Sequence, residues 1–205
     1  MKLNARQLRE LEEKKAQGDI RKIKRQPIYF ILENIYDTYN IGGLFRLADA
    51  IAVEKIYLCG EMEIPPNSRI KKASVGTYKI VPWIYKSTVK EAIESLKLEV
   101  GSEKLDNEMR NEKKIPFPNS KIQLPTSNLP LQIIAVEQHS NSTDYRKTDY
   151  RLPLALVFGN ESYGVTSQTL ELVDQIVEIP MFGINKSLNV IVSAAIVSYW
   201  IMSKI

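Results

Sequence analysis

The sequence predicts an α/β fold: a mainly parallel sheet flanked by helices. Three observations carry this. Short, continuously apolar runs alternate with segments whose apolar residues recur at helical spacing. The runs lack the strict apolar and polar alternation of a half-exposed sheet, so both of their faces are expected to be covered. A chain of 205 residues with 44% hydrophobic content can bury one good core, which suits a single domain.

Taken in order, Ile28 to Leu32 is a short apolar run and reads as the first strand. Ile41, Leu44, Phe45, Ala48 and Ile51 then repeat at helical spacing behind Asn40, a residue suited to cap a helix. Val53 to Cys59 reads as a second strand and Tyr78 to Trp83 as another. Thr88 to Lys97 reads as a helix, opened by Thr88 with Glu91 at the capping-box distance. Leu131 to Val136, Leu154 to Phe158 and Ile176 to Ile179 are further buried strands, with helices expected over Val165 to Val173 and Ser187 to Met202. Ser187 is the expected cap of the last helix, which is apolar on nearly every face.

Two segments stand outside this pattern. Residues 1–26 read as a basic N-terminal extension to a domain over 27–205. Residues 1–27 hold nine Lys or Arg against four Asp or Glu, whereas the whole chain carries a net charge of only +4. Asn4 followed by Gln7 predicts a capped short helix, with Gly18 as a stop, and Arg21, Lys22, Lys24 and Arg25 form a run suited to RNA phosphates. The alternative is a solvated leader. The second segment, about 99–130, is polar, aperiodic and broken by Pro116, Pro118, Pro125 and Pro130, so it reads as an inserted surface loop.

Several function classes are excluded or disfavoured. Met1 to Lys24 is too charged and polar for a signal peptide, and the apolar stretch Val190 to Met202 is too short to span a bilayer, so no membrane association is expected. Cys59, the only cysteine, sits in the apolar run Ile56-Tyr57-Leu58-Cys59. It reads as a core residue rather than a nucleophile, which fits a reducing, cytoplasmic setting and argues against cysteine-dependent cytosine methylases. No His, Cys and Asp cluster has metal spacing, and His139 reads as a surface residue. No G-x-G-x-x-G follows a strand, and Gly159 to Gly164 lacks the Lys-Ser/Thr of a P-loop, so neither NAD nor ATP is supported.

Three strand-to-helix turns carry the chemistry. They are Asn40-Ile41-Gly42-Gly43-Leu44-Phe45-Arg46, then Phe158-Gly159-Asn160-Glu161-Ser162-Tyr163-Gly164, then Ile179-Pro180-Met181 running on to Ser187-Leu188-Asn189. Polar main-chain donors at such turns, walled by Ile, Met and Leu, suit a flat heteroaromatic ligand. With Ser74-Val75-Gly76 between the first and second, the set resembles the SpoU (TrmH) family of RNA ribose 2'-O-methyltransferases, in the SPOUT class, from about Pro27 to the C-terminus.

The resemblance implies a deep C-terminal trefoil knot, which ordinary topology rules would steer away from. It implies S-adenosyl-L-methionine as cofactor, held around Val136, Phe158, Gly159, Asn160, Ile179, Pro180, Met181 and Leu188, with Ser187 and Asn189 fixing the loop. It further implies a homodimer acting on tRNA or rRNA, with the apolar C-terminal helix near the partner subunit. Arg46 matches the family's catalytic arginine. Because a guanidinium stays protonated, its first expected role is to grip an RNA phosphate bidentately and lower the hydroxyl pKa by its field. Whether it also accepts the proton is left open by the sequence. Asn40 is expected to orient the loop or contact ribose and phosphate. Glu161 either orders Arg46 or Asn40 or serves the turn alone. Two other readings are an RNA-binding paralogue without catalysis and a small-molecule α/β enzyme. Asn40, Arg46, Glu161 and Asn189 speak against the first, and the basic leader and motif order against the second.

Overall fold

A computed structural model describes Asn4, Gln7 and residues 24–112 and 130–204, with the side chains of 103–112 left aside. Seven strands form one sheet: β1 (Gln26–Glu33), β2 (Val53–Cys59), β3 (Trp83–Lys86), β4 (Gln132–Val136), β5 (Thr143–Asp144), β6 (Leu154–Phe158) and β7 (Gln175–Glu178). Their spatial order is β3-β2-β1-β6-β4-β7-β5, and every pairing is parallel. Among the described residues five helices accompany them: α1 (Thr38–Ala50), α2 (Ser68–Ser74), α3 (Val89–Glu112), α4 (Ser167–Leu170) and α5 (Val190–Met202).

The apolar runs are continuous because both faces of the sheet are buried, as the sequence predicts. Ile28, Phe30 and Leu32 of β1 join Leu154, Leu156 and Phe158 of β6 in a core closed by α1, α2 and α5. Tyr29 and Ile31, with Ala155 and Val157, face the opposite core, closed by α3 and α4. In the first core Phe30 and Phe158 meet edge to face with ring centroids 5.3 Å apart. Burying such a pair contributes about 1 kcal/mol beyond its area.

Several expected boundaries move. Asp37, rather than Asn40, caps α1, its side chain accepting from the Tyr39 main-chain N–H at 2.8 Å, and Asn40 lies inside the first turn. Asn189, rather than Ser187, caps α5, its Oδ1 accepting from Ile191 N–H at 2.9 Å. In both places an Asx side chain nearer the first buried helical residue wins the cap. The expected strand over Tyr78 to Trp83 is a 3₁₀ turn at Thr77–Lys79, with β3 starting only at Trp83. The expected helix over Val165 to Val173 is reduced to the single turn of α4.

The capping box at Thr88 is present in modified form. Thr88 Oγ1 accepts from Glu91 N–H at 3.2 Å, while the Glu91 carboxylate reaches back to Ser87 N–H at 3.2 Å. The helix it opens runs to Glu112, through the first part of the segment read as a loop. Glu and Lys are good helix formers, and Gly101 has open space around it, so it costs the helix only propensity. Residues 113–129 lie outside the described residues. In the leader, Asn4 and Gln7 exchange reciprocal side-chain to main-chain hydrogen bonds of 2.9 and 3.0 Å, the predicted cap. Arg21 and Lys22 lie outside the described residues.

Candidate functional site

The three turns converge because they leave the carboxyl ends of β1, β6 and β7, parallel strands of the same sheet. α1 follows β1, the Asn160–Gly164 turn follows β6, and the loop into α5 follows β7. In open parallel sheets ligands bind along this edge.

The first turn owes its glycines to packing. A Cβ on Gly42 would lie 2.5 Å from the Ala73 Cβ and 2.8 Å from the Ser74 nitrogen, so Gly42 lets α2 seat against α1. A Cβ on Gly43 would lie 2.3 Å from Ile191 Cδ1, so Gly43 admits the start of α5. The second turn is closed by main-chain bonds between Asn160 and Gly164 of 3.0 and 2.9 Å. A Cβ on Gly159 would collide with the backbone of Gly164 and Val165 at 2.2 Å. Gly164 takes a φ of 71°.

Asn160 is 8% exposed and both ends of its side-chain amide are engaged. Its Oδ1 accepts from Ser162 and Tyr163 N–H at 2.8 and 3.0 Å, and its Nδ2 donates to the Asn34 carbonyl at 2.7 Å. It builds the turn rather than offering a free amide.

A chain of side chains ties the three turns together. Asn40 Nδ2 donates to Glu161 Oε1 at 2.8 Å, and Asn189 Nδ2 donates to Asn40 Oδ1 at 3.0 Å. The Glu161 carboxylate also accepts from the main-chain N–H groups of Tyr36 and Asp37 at 3.4 and 3.3 Å. Of the roles open to Glu161, the structure therefore shows it ordering Asn40 and the start of α1. Arg46 lies in the third turn of α1 with its side chain exposed, and makes no hydrogen bond or ion pair among the described residues.

A cleft of about 420 Å³ lies beside this chain. Eight of the residues named from sequence line it: Val136, Phe158, Gly159, Asn160, Ile179, Met181, Ser187 and Leu188. Glu161 lines it too, while Pro180, Asn189 and Arg46 do not. Sequence reasoning passed over Glu137, Gln138, Glu178 and Lys186, which also line it. Their signal was positional: each stands at or just beyond a buried strand's carboxyl end, or in the loop before α5. Glu137 Oε2 accepts from Val165 N–H at 2.8 Å, bracing the second turn, and Gln138 Nε2 donates to the Lys186 carbonyl, tying down the third. Glu137, Glu161 and Glu178 face a single cation, Lys186, so the lining favours a positively charged ligand over a polyphosphate.

Other candidate groups fall elsewhere. Cys59 is fully buried, and burial first, with the nearby Glu33 and Glu91 carboxylates, pushes its thiol up to about 12, which suits the core role. His139 is exposed. Lys24 is exposed, whereas Arg25 donates to the carbonyls of Val53 and Ile80 at 2.8 Å each, and burial lowers its pKa. Arg25 thus pins the amino end of β1 to its neighbours, which withdraws it from the run suited to phosphate. Among the described residues no helix is long and apolar enough to cross a membrane, and no group of three His, Cys, Asp or Glu could hold a metal ion.

The chain resembles known proteins along most of its length. It is 27% identical over 180 residues to the tRNA (guanosine(18)-2'-O)-methyltransferase of Escherichia coli, a match covering 86% of this chain and 63% of that protein. It is 25% identical over 177 residues to the protein of the same name from Thermus thermophilus, covering 86% and 75%. The chain thus spans less than two thirds of the Escherichia coli relative. Its fold matches the SpoU methyltransferase AviRb from Streptomyces viridochromogenes, solved in complex with AdoMet, with a TM-score of 0.68 and 19% identity over 89% of this chain and 59% of that one. The sequence model of the SpoU rRNA Methylase family matches residues 27–123 and 119–199. On that match, the chain belongs to the SpoU rRNA methylase family.

Proposed function

We propose that this protein is an S-adenosyl-L-methionine-dependent methyltransferase that modifies a ribose 2'-hydroxyl of tRNA or rRNA. The observation that carries the reading is the Glu161–Asn40–Asn189 chain, which fixes the cleft to the helix that bears Arg46. The cleft fits the cofactor: its volume is in the range of small-molecule sites, its walls at Val136, Ile179, Met181 and Leu188 suit a flat base, and its net negative lining suits a sulfonium. The cofactor supplies a methyl group that is already activated.

What remains for the protein is alignment and help with the hydroxyl proton. Asn40, held on both sides, orients the turn from which α1 and Arg46 continue. Arg46 grips the phosphate and its field favours the alkoxide. Glu161 positions Asn40. Main-chain groups around Gly159, Ile179, Met181 and Leu188 read the cofactor, with Pro180, Ser187 and Asn189 shaping the loop. The same proposal divides the chain into a basic extension, 1–26, with Arg21, Lys22 and Lys24 on RNA, and a methyltransferase domain over 27–205 in a cytoplasmic setting. It includes the C-terminal knot that the resemblance to the family implies.

A homodimer completes the reading. Val192 and Tyr199 are 45% and 54% exposed on α5, a helix apolar on most faces, and a closed two-fold pair would cover them. Light scattering at micromolar concentration is expected to give twice the chain mass, and a stable monomer would remove the partner from the proposal. Methyl transfer from labelled cofactor to total RNA, followed by nuclease mapping, tests the activity. Label on a ribose 2'-oxygen is expected, and label only on bases, or none, would overturn it.

A further inference from the structure

Six large aromatic side chains are exposed among the described residues, and three of them, Tyr36, Tyr39 and Tyr163, are 53%, 53% and 86% exposed and lie close together in the fold. All three stand around Glu161. Its carboxylate accepts from the Tyr36 main-chain N–H, Tyr39 lies in the α1 turn that Asp37 caps, and Tyr163 lies two residues beyond Glu161 on the cleft lining. Their backbones are therefore fixed while their rings face solvent. Tyr36 and Tyr39 also line a separate depression of about 460 Å³ together with Asp37, Glu63 and Arg69, the last exposed on α2. Lys71 and Lys72 follow it in the last turn of that helix.

Seven residues separate Tyr39 from Arg46, which places the two on one stripe of α1, about 10 Å apart along the axis. Exposed, backbone-anchored aromatics beside cations are the surface that unpaired bases use: the rings stack on bases and the cations take the phosphates. A duplex presents no free base faces to such a surface. The folded chain has no need of these rings, since its two cores close without them.

We propose that Tyr36, Tyr39 and Tyr163 form a stacking platform that holds unpaired RNA bases next to the reacting ribose, with Arg69 taking an adjacent phosphate. The inference rests on the RNA-modifying reading above and deepens it: the substrate is presented as a single-stranded or extruded segment, and the tyrosines choose that form over a helix.

The test uses the full chain with a labelled mixed-sequence 12-nucleotide RNA, single-stranded or paired to its complement. Wild-type protein is expected to bind the single strand more tightly than the duplex. The Tyr36→Ala/Tyr39→Ala variant should lose roughly tenfold or more of that affinity, while Tyr36→Phe/Tyr39→Phe stays within about twofold because a phenyl ring stacks as well as a phenol. Cofactor affinity, measured in parallel, should be unchanged in both variants and reports that they are folded. Photo-crosslinking of wild-type protein to the same RNA carrying 5-bromouridine should map to the peptides holding Tyr36, Tyr39 or Tyr163. Equal affinity for wild-type and alanine variants, loss in the phenylalanine variant equal to that in alanine, or crosslinks confined to other peptides would overturn the platform. A protein that methylates RNA yet binds it independently of these tyrosines refutes the platform and leaves the proposed function standing. Tyrosine-dependent RNA binding without methyl transfer does the reverse.

Discussion

Asn40 is 6% exposed and sits between two partners from distant parts of the chain, so Asn40→Ala is the sharpest probe of the site. The substitution deletes the bond to Glu161 and the bond from Asn189. A hydrogen bond to a charged group contributes about 1.5–3 kcal/mol and a neutral one about 0.5–1.5 kcal/mol. Glu161 is exposed, which holds the first to its lower end, so the total is about 2 kcal/mol. For a chain of this length each kcal/mol moves Tm by about 2–4 °C, giving an expected fall of about 4–8 °C.

The part that reaches the cleft is the Asn189 bond, because Asn189 caps α5 and ends the loop that lines one wall. Losing about 1 kcal/mol there should weaken cofactor Kd about fivefold, although Asn40 itself does not line the cleft. Calorimetry on Asn40→Ala, Asn189→Ala and the double variant forms the decisive cycle. The single effects should fail to add by about 1 kcal/mol, since either substitution breaks the same bond. Asn40→Asp should be worse than Asn40→Ala at neutral pH, because it sets a second carboxylate against Glu161. Additive effects in the cycle, or an unchanged Tm in Asn40→Ala, would refute the claim that this chain couples the three turns.

Arg46→Ala should nearly abolish methyl transfer and leave cofactor affinity within a few-fold, as Arg46 lies outside the cleft lining; calorimetry beside single-turnover transfer separates the two. Gly42→Ala should destabilise more than Gly43→Ala, because a Cβ at 42 meets the Ser74 backbone whereas one at 43 meets the movable end of Ile191. Thermal unfolding should place the first near the upper part of the overpacking range of about 1–3 kcal/mol. Removing residues 1–23, which spares Arg25 for its bonds to Val53 and Ile80, should weaken RNA binding without changing cofactor affinity. It should also flatten the dependence of log affinity on log salt by about two units, and an unchanged slope would show the leader to be a solvated tail.

The sequence by itself determined the fold class. Continuous apolar runs such as Ile28 to Leu32 and Leu154 to Phe158 can be satisfied only where both faces of a strand are covered, and a parallel sheet, whose crossover helices lie on its faces, provides that cover. The sequence also supplied the three turns, because glycines that must admit a neighbouring backbone or helix leave a local mark. It misplaced the starts of α1 and α5, since several Asx and Ser residues near each start can cap, and the winner is set by where the first buried residue falls. What only the tertiary structure decided is which polar side chains meet. Asn40, Glu161 and Asn189 are separated by 121 and 149 residues from their partners, and no local period relates them. Strand order alone brings their turns together, and then hydrogen-bonding geometry assigns Glu161 to Asn40, Asn160 to its own turn and Arg25 to the sheet rather than to RNA.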